Sequence, residues 1–98
     1  MAKRGTEETI LDNISATANG DASAAATLER HVFGVIITGT STVTFRWATN
    51  ADPTVYHTID SVTASGTTHI SAAYPILNVS AAITSGNVTV VHYAYEEG

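Results

Sequence analysis

From His31 onward the apolar residues come in short runs, and turn-forming residues interrupt them roughly every ten positions. No stretch in this region carries a 3.6-residue period, so the spacing predicts strands throughout. Val32–Thr38 is nearly continuous in Val32, Phe33, Val35, Ile36 and Ile37 until Gly39-Thr40-Ser41 ends it. Thr42–Ala48 alternates, with Val43, Phe45 and Trp47 on one face and Thr42, Thr44 and Arg46 on the other. Asn50-Ala51-Asp52-Pro53 is a turn, because Asn and Asp bond locally to backbone and Pro removes a ladder donor. Thr54–Val62 reads as a third strand, and Ala64-Ser65-Gly66 as the next turn. Thr67–Ala72 is a short polar strand around Ile70, and Pro75 opens the one after it. In Ile76–Ile83 one face holds Leu77, Val79, Ala81 and Ile83, and Thr84-Ser85-Gly86-Asn87 reads as a hairpin connection into Val88–Tyr95. Six such strands predict a single antiparallel β-sandwich, jelly-roll-like or immunoglobulin-like, over residues 29–98.

Residues 1–28 read differently and are expected to form an extended arm. Within it, Ile10, Leu11 and Ile14 suit an edge strand in Thr9–Ile14. Asp21 ahead of Ser23–Glu29 could cap a short helix, while an extended segment lying along a neighbour is the favoured alternative.

Charge narrows the function. Only 13% of the residues are charged, against roughly 25% in an average globular protein, and the net charge is −5. Ser, Thr, Ala and Gly take the place of charge. Lys3, Arg4, Arg30 and Arg46 form no basic stripe that could follow a phosphate backbone, so no nucleic-acid partner is expected. With no Cys there is neither a disulfide framework nor a thiolate metal site. No apolar run reaches the ~20 residues of a membrane helix, and Met1–Glu8 is too polar for a signal peptide. The expectation is a protein that folds in the cytosol of its producer and meets no membrane.

Catalysis has no footing in the residue spacing. His31, His57, His69 and His92 match no metal-ligand pattern, and no cofactor is expected. A His on an apolar strand face is more often a hydrogen-bonded core or interface residue. No G-x-S-x-G elbow marks a nucleophile among the many Ser and Thr residues. The glycines are scattered singly, so no phosphate-cradling loop is present. Gly34 stands out inside an apolar strand, where it marks a bulge or, less favoured, a close backbone approach. Trp47 belongs with the core rather than with a ligand platform.

Two strands are apolar on both faces, Val32–Ile37 and Val88–Tyr95. Such strands lie centrally in a sandwich or are covered by a partner. In a chain of 98 residues both cannot be covered from within, so a homo-oligomer or attachment to a larger surface is expected. The contact residues this predicts are Ile10, Leu11, Ile14 and Leu28 in the arm, with Val32, Phe33, Val35, Tyr93 and Tyr95 in the two strands.

Val32–Tyr95 also resembles a group of small virion structural proteins of tailed bacteriophages. The resemblance rests on Thr42-Val43-Thr44-Phe45, on Thr54–Ile59, and above all on Tyr74–Val90 with its Ile83-Thr84-Ser85-Gly86-Asn87-Val88-Thr89-Val90 ending. The chain departs from that group's pattern at Asn50–Pro53, where an Asp-Gly turn is common. The resemblance implies a capsid decoration (cement) protein, or a related head or tail component, with no catalytic residues. It further implies a major capsid protein or other virion protein as partner, small oligomers with the trimer favoured, and a place on the virion after synthesis in the host cytoplasm. A glycan- or receptor-binding module of a tail or fibre is the alternative from another class, and a tail, neck or connector component is a third.

Overall fold

The computed structural model describes residues 5–22, 30–70 and 76–96. All regular structure in them is β: β1 Gly5–Ile14, β2 Ala18–Asp21, β3 Arg30–Ala48, β4 His57–Val62, β5 Gly66–Ile70 and β6 Ile76–Tyr95. The antiparallel all-β architecture expected from the alternation is what the chain adopts. Its strands are fewer and longer after His31 than the turn signals suggest. Gly39-Thr40-Ser41 lies inside β3, and Thr84–Asn87 lies inside β6.

These two strands of 19 and 20 residues pair with each other from Arg30↔Tyr95 to Ala48↔Ile76. Midway, Gly39 faces Gly86, and both adopt positive φ, at 89° and 80°. That conformation is open to Gly at little steric penalty. The double strand folds over at this pair. Phe33 and Phe45 are twelve positions apart on β3 and would be ~40 Å apart on a straight strand. Their ring centroids are instead 4.7 Å apart.

The result is two layers cut from one continuous sheet. The first layer is β1, the C-terminal half of β6, the N-terminal half of β3, and β5. The second is β2, the other halves of β6 and β3, and β4. Phe33, Val35 and Val90 from the first layer meet Val43, Phe45, Leu77, Val79 and Ala81 from the second in one core.

A bulge keeps the core consistent across the fold. Thr40 pairs with Ser85 and Ser41 with Ile83, which leaves Thr84 as an extra residue in β6. Inward positions change there from the odd set Leu77, Val79 and Ala81 to the even set Val88, Val90, His92 and Ala94. A strand alternates with period two, so without Thr84 one half of β6 would turn its apolar side to solvent.

The corners explain part of the Ser/Thr richness. Backbone amides that the bent ladder leaves over find side-chain acceptors: Thr40 N–H donates to Ser85 Oγ at 3.1 Å and Asn87 N–H to Thr38 Oγ1 at 3.0 Å. Ile37 N–H donates to Ser65 Oγ at 3.2 Å and Ile83 N–H to Thr17 Oγ1 at 3.2 Å. Short hydroxyl side chains can reach neighbouring backbone where a ladder bond is missing.

Residues 5–22 of the segment expected as an arm lie on the sheet. β1 runs along the C-terminal half of β6 as an edge strand, and β2 continues along the other half. Leu11 and Ala22 are buried in the core cluster. The helix or extended segment expected over Ser23–Glu29, like Leu28 and Pro75, falls outside the described residues. Gly34 is no bulge: β3 keeps register through it on both sides. A side chain there would meet Val91 Cγ2 at 3.0 Å, so it is a neighbouring side chain that approaches closely.

Candidate functional site

Alternation sends each strand's second set of side chains to the outer faces, and the two outer faces point in opposite directions. On the first layer the outward positions are Gly5, Glu7 and Thr9 of β1, then Thr89, Val91, Tyr93 and Tyr95 of β6. Next come Arg30, Val32, Gly34 and Ile36 of β3, and then Thr67 and His69 of β5. The middle of this face is apolar. Ile36 is 57% exposed and Tyr93 44% exposed, while Val32, Val91 and Tyr95 are half-buried. The Tyr93 and Tyr95 rings stack at 5.7 Å. The Tyr93 hydroxyl lies over Gly5, where a Cβ would be 2.1 Å from it.

Of the contact residues predicted from sequence, this face gathers Val32, Tyr93 and Tyr95. Ile10 and Ile14 are half-buried beside the core. Leu11, Phe33 and Val35 are core residues and have no surface to offer a partner. Their strands are apolar on both sides, and parity decides which side each residue takes. Sequence reasoning missed Ile36, whose outward parity with Val32 was the available signal.

The outer side of the second layer carries a polar line that crosses three strands. Arg46 of β3 donates through Nε to Asn78 Oδ1 at 3.1 Å and also through Nη2. Asn78 of β6 donates through Nδ2 to Asp21 Oδ1 at 2.9 Å and to Gly20 O at 3.2 Å, both in β2. The Arg46 guanidinium also lies 4.5 Å from the centroid of Tyr56, which caps the line from the 49–56 loop. That loop exposes Val55 (51%) and Tyr56 (37%). Trp47 is packed against the core, as expected, and its ring stacks on His57 at 4.5 Å. Replacing Asn78 by Ala removes the hydrogen bonds that tie Asp21 and Arg46 together across β6 and is expected to lower stability by about 1 kcal/mol in urea unfolding. An unchanged midpoint would show that the line contributes nothing.

The third grouping is internal. His31 and His92 are fully buried, and His31 Nδ1 lies 3.0 Å from His92 Nε2, so one imidazole donates and the other accepts. Phe33 stacks on the His92 ring at 4.6 Å. The remaining nitrogen, His92 Nδ1, is 3.9 Å from Glu8 Oε1, beyond hydrogen-bond length. Burial, and then the neighbouring His31, push the His92 pKa down from 6.5 to about 4. His92 is therefore a neutral imidazole at neutral pH. His69 pairs with Val32, beside His31, but lies on the exposed outer side of the layer, and His57 is exposed in the second layer. Among the described residues no group of three or more His, Cys, Asp or Glu could hold a metal ion. The exposed apolar residues thus fall in two areas, the outer face of the first layer with Ile36 and Tyr93, and the loop with Val55 and Tyr56.

No family model matches the chain, and no curated protein matches it. Among solved structures, the fold is similar to that of YomS, a protein derived from the SPBc2 prophage. The TM-score is 0.74 and the identity 10%, over 98% of this chain and 96% of that one. PirA superposes with a TM-score of 0.46 and 14% identity, over 94% of this chain and 93% of that one, and carries no argument here. The chain thus shares its fold, end to end, with a prophage-derived protein.

Proposed function

We propose that the protein is a structural component of a tailed-phage virion, and specifically a decoration protein that attaches to the outer surface of the head. The observation that carries this reading is the pair of apolar surfaces on opposite sides of one small domain. Val32, Ile36, Val91 and Tyr93 occupy one side, and Val55 with Tyr56 the other. A single flat partner covers only one of them, whereas a subunit that bridges neighbours uses both. Exposed aromatic and aliphatic groups in a surface poor in charge suit contacts that exclude water. The shared fold with a prophage-derived protein and the Val32–Tyr95 resemblance support the same setting.

The Val55–Tyr56 loop is the side assigned to the head, because it exposes an aliphatic and an aromatic side chain next to each other. Attachment gains from repetition, since each bound copy places the same contact at every lattice position. Separating the parent particle into heads and tails tests the assignment. The protein is expected to sediment with heads, and the double variant Val55→Asp/Tyr56→Asp to remain folded and stay in the supernatant. Recovery with tails would move the address to a tail or neck component, and absence from both fractions would overturn the virion reading. The glycan-binding alternative finds less support, because Arg46 covers one face of Tyr56 and His57 stacks on Trp47.

A further inference from the structure

The outer face of the first layer is built in rows, and each row is complementary to its own reverse. The register gives one row as Glu7–Tyr93–Val32–His69 across β1, β6, β3 and β5. The next is Thr9–Val91–Gly34–Thr67, and beyond it Thr89 stands beside Ile36. A two-fold axis that runs parallel to the strands, between β6 and β3, reverses every row while keeping its level. It sets Glu7 of one copy over His69 of the other, so a carboxylate at one edge meets an imidazole at the opposite edge, twice. It sets Tyr93 over Val32, a large side chain over a small one. It sets Val91 over Gly34, which carries no side chain of its own and against which the same copy's Val91 already leans, and Thr89 over Ile36.

We infer that this face is a homodimer interface, with two copies of the chain stacked sheet on sheet about that two-fold axis. Stacked sheets take an angle of about 30° to each other, which moves the ends of a row by a few ångströms, within the reach of a Glu side chain. Four strands at ~4.8 Å and seven residues at ~3.4 Å give a footprint of about 450 Å² per copy. That lies at the small end of specific interfaces and sets the expected dissociation constant in the micromolar range. The self-complementary rows favour a two-fold pair over the trimer expected from sequence, because a three-fold ring joins unlike surfaces. The inference does not depend on where in a particle the protein sits, since it concerns the face turned away from the Val55–Tyr56 loop.

Sedimentation of the full chain from about 1 to 200 µM tests it. The expected result is a monomer–dimer equilibrium within that range. Glu7→Lys, at an exposed edge position, is expected to weaken the dimer about tenfold, and adding His69→Glu to restore it. Tyr93→Glu is expected to give a folded monomer. A wild-type monomer or trimer throughout the range would overturn the two-fold dimer, as would a folded Tyr93→Glu protein that still dimerises. If Tyr93→Glu does not fold, the charge exchange decides alone, and a double variant no tighter than Glu7→Lys overturns the proposed alignment. Loss of head binding with the dimer intact would instead count against the decoration reading alone.

Discussion

Gly86→Ala is expected to destabilise the protein by about 4 kcal/mol or more. Gly86 has φ +80°, and a Cβ there would lie 1.7 Å from the Thr38 carbonyl oxygen and 2.9 Å from Gly39 Cα. Those atoms are backbone of the paired strand, so no side-chain rotation relieves the clash. The corner itself would have to open. The two layers meet only because the double strand turns there, so opening it parts Phe33 from Phe45 and floods the core. Gly39→Ala meets Ser85 O at 2.4 Å at the same corner and is expected to be milder but still severe. By contrast Gly66→Ala, whose Cβ would be 3.8 Å from Ala64 O, should be tolerated. Urea unfolding of the three variants reads the series. A Gly86→Ala protein as stable as Gly66→Ala would show that the corner is not where the fold is decided.

Acid is expected to weaken the protein through His92. The folded-state pKa is about 4 and the ordinary value 6.5. Above pH 6.5 His92 is neutral in both the folded and the unfolded chain and adds no pH dependence. As the pH falls from 6.5 towards 4, the unfolded chain binds a proton that the native core refuses, and stability drops. The full loss, reached as pH passes through the folded value, is about 3 kcal/mol. Below that the native state also takes the proton, and this contribution stops growing. Carboxylates titrate in the lower part of the same window, so the comparison must be with His92→Gln, which keeps a hydrogen-bonding group beside His31. Its stability profile is expected to be flatter between pH 6.5 and 4. Parallel profiles for the two proteins would show that His92 does not carry the effect.

Much of this architecture is legible in the residues. The alternation at Val43, Phe45 and Trp47 and at Leu77, Val79 and Ala81 assigns strands and inward faces that the structure keeps. His92 reads as a core residue because it shares the face of Val88 and Val90. Its partner does not, since His31 is 61 positions away and meets it only through the β3–β6 register. The candidate surface is half legible. Tyr93, Tyr95 and Val32 come from two-sided apolar strands, but the same pattern also suggested Phe33 and Val35, which the opposite parity buries.

What the sequence determined by itself is the β class and the faces of the alternating strands, because side-chain alternation is a local property. What only the tertiary structure decided is whether Gly39-Thr40-Ser41 and Thr84–Asn87 end strands or bend them. Gly in a positive-φ conformation serves a hairpin turn and a strand corner equally well, so local chemistry cannot separate the two. The choice is made by pairing across the chain: Gly39 sits opposite Gly86, and the two segments flanking each glycine find a common partner in the other long strand instead of pairing with each other. That register also placed Glu7, Tyr93, Val32 and His69 in one row, and with it the face proposed to receive a second copy.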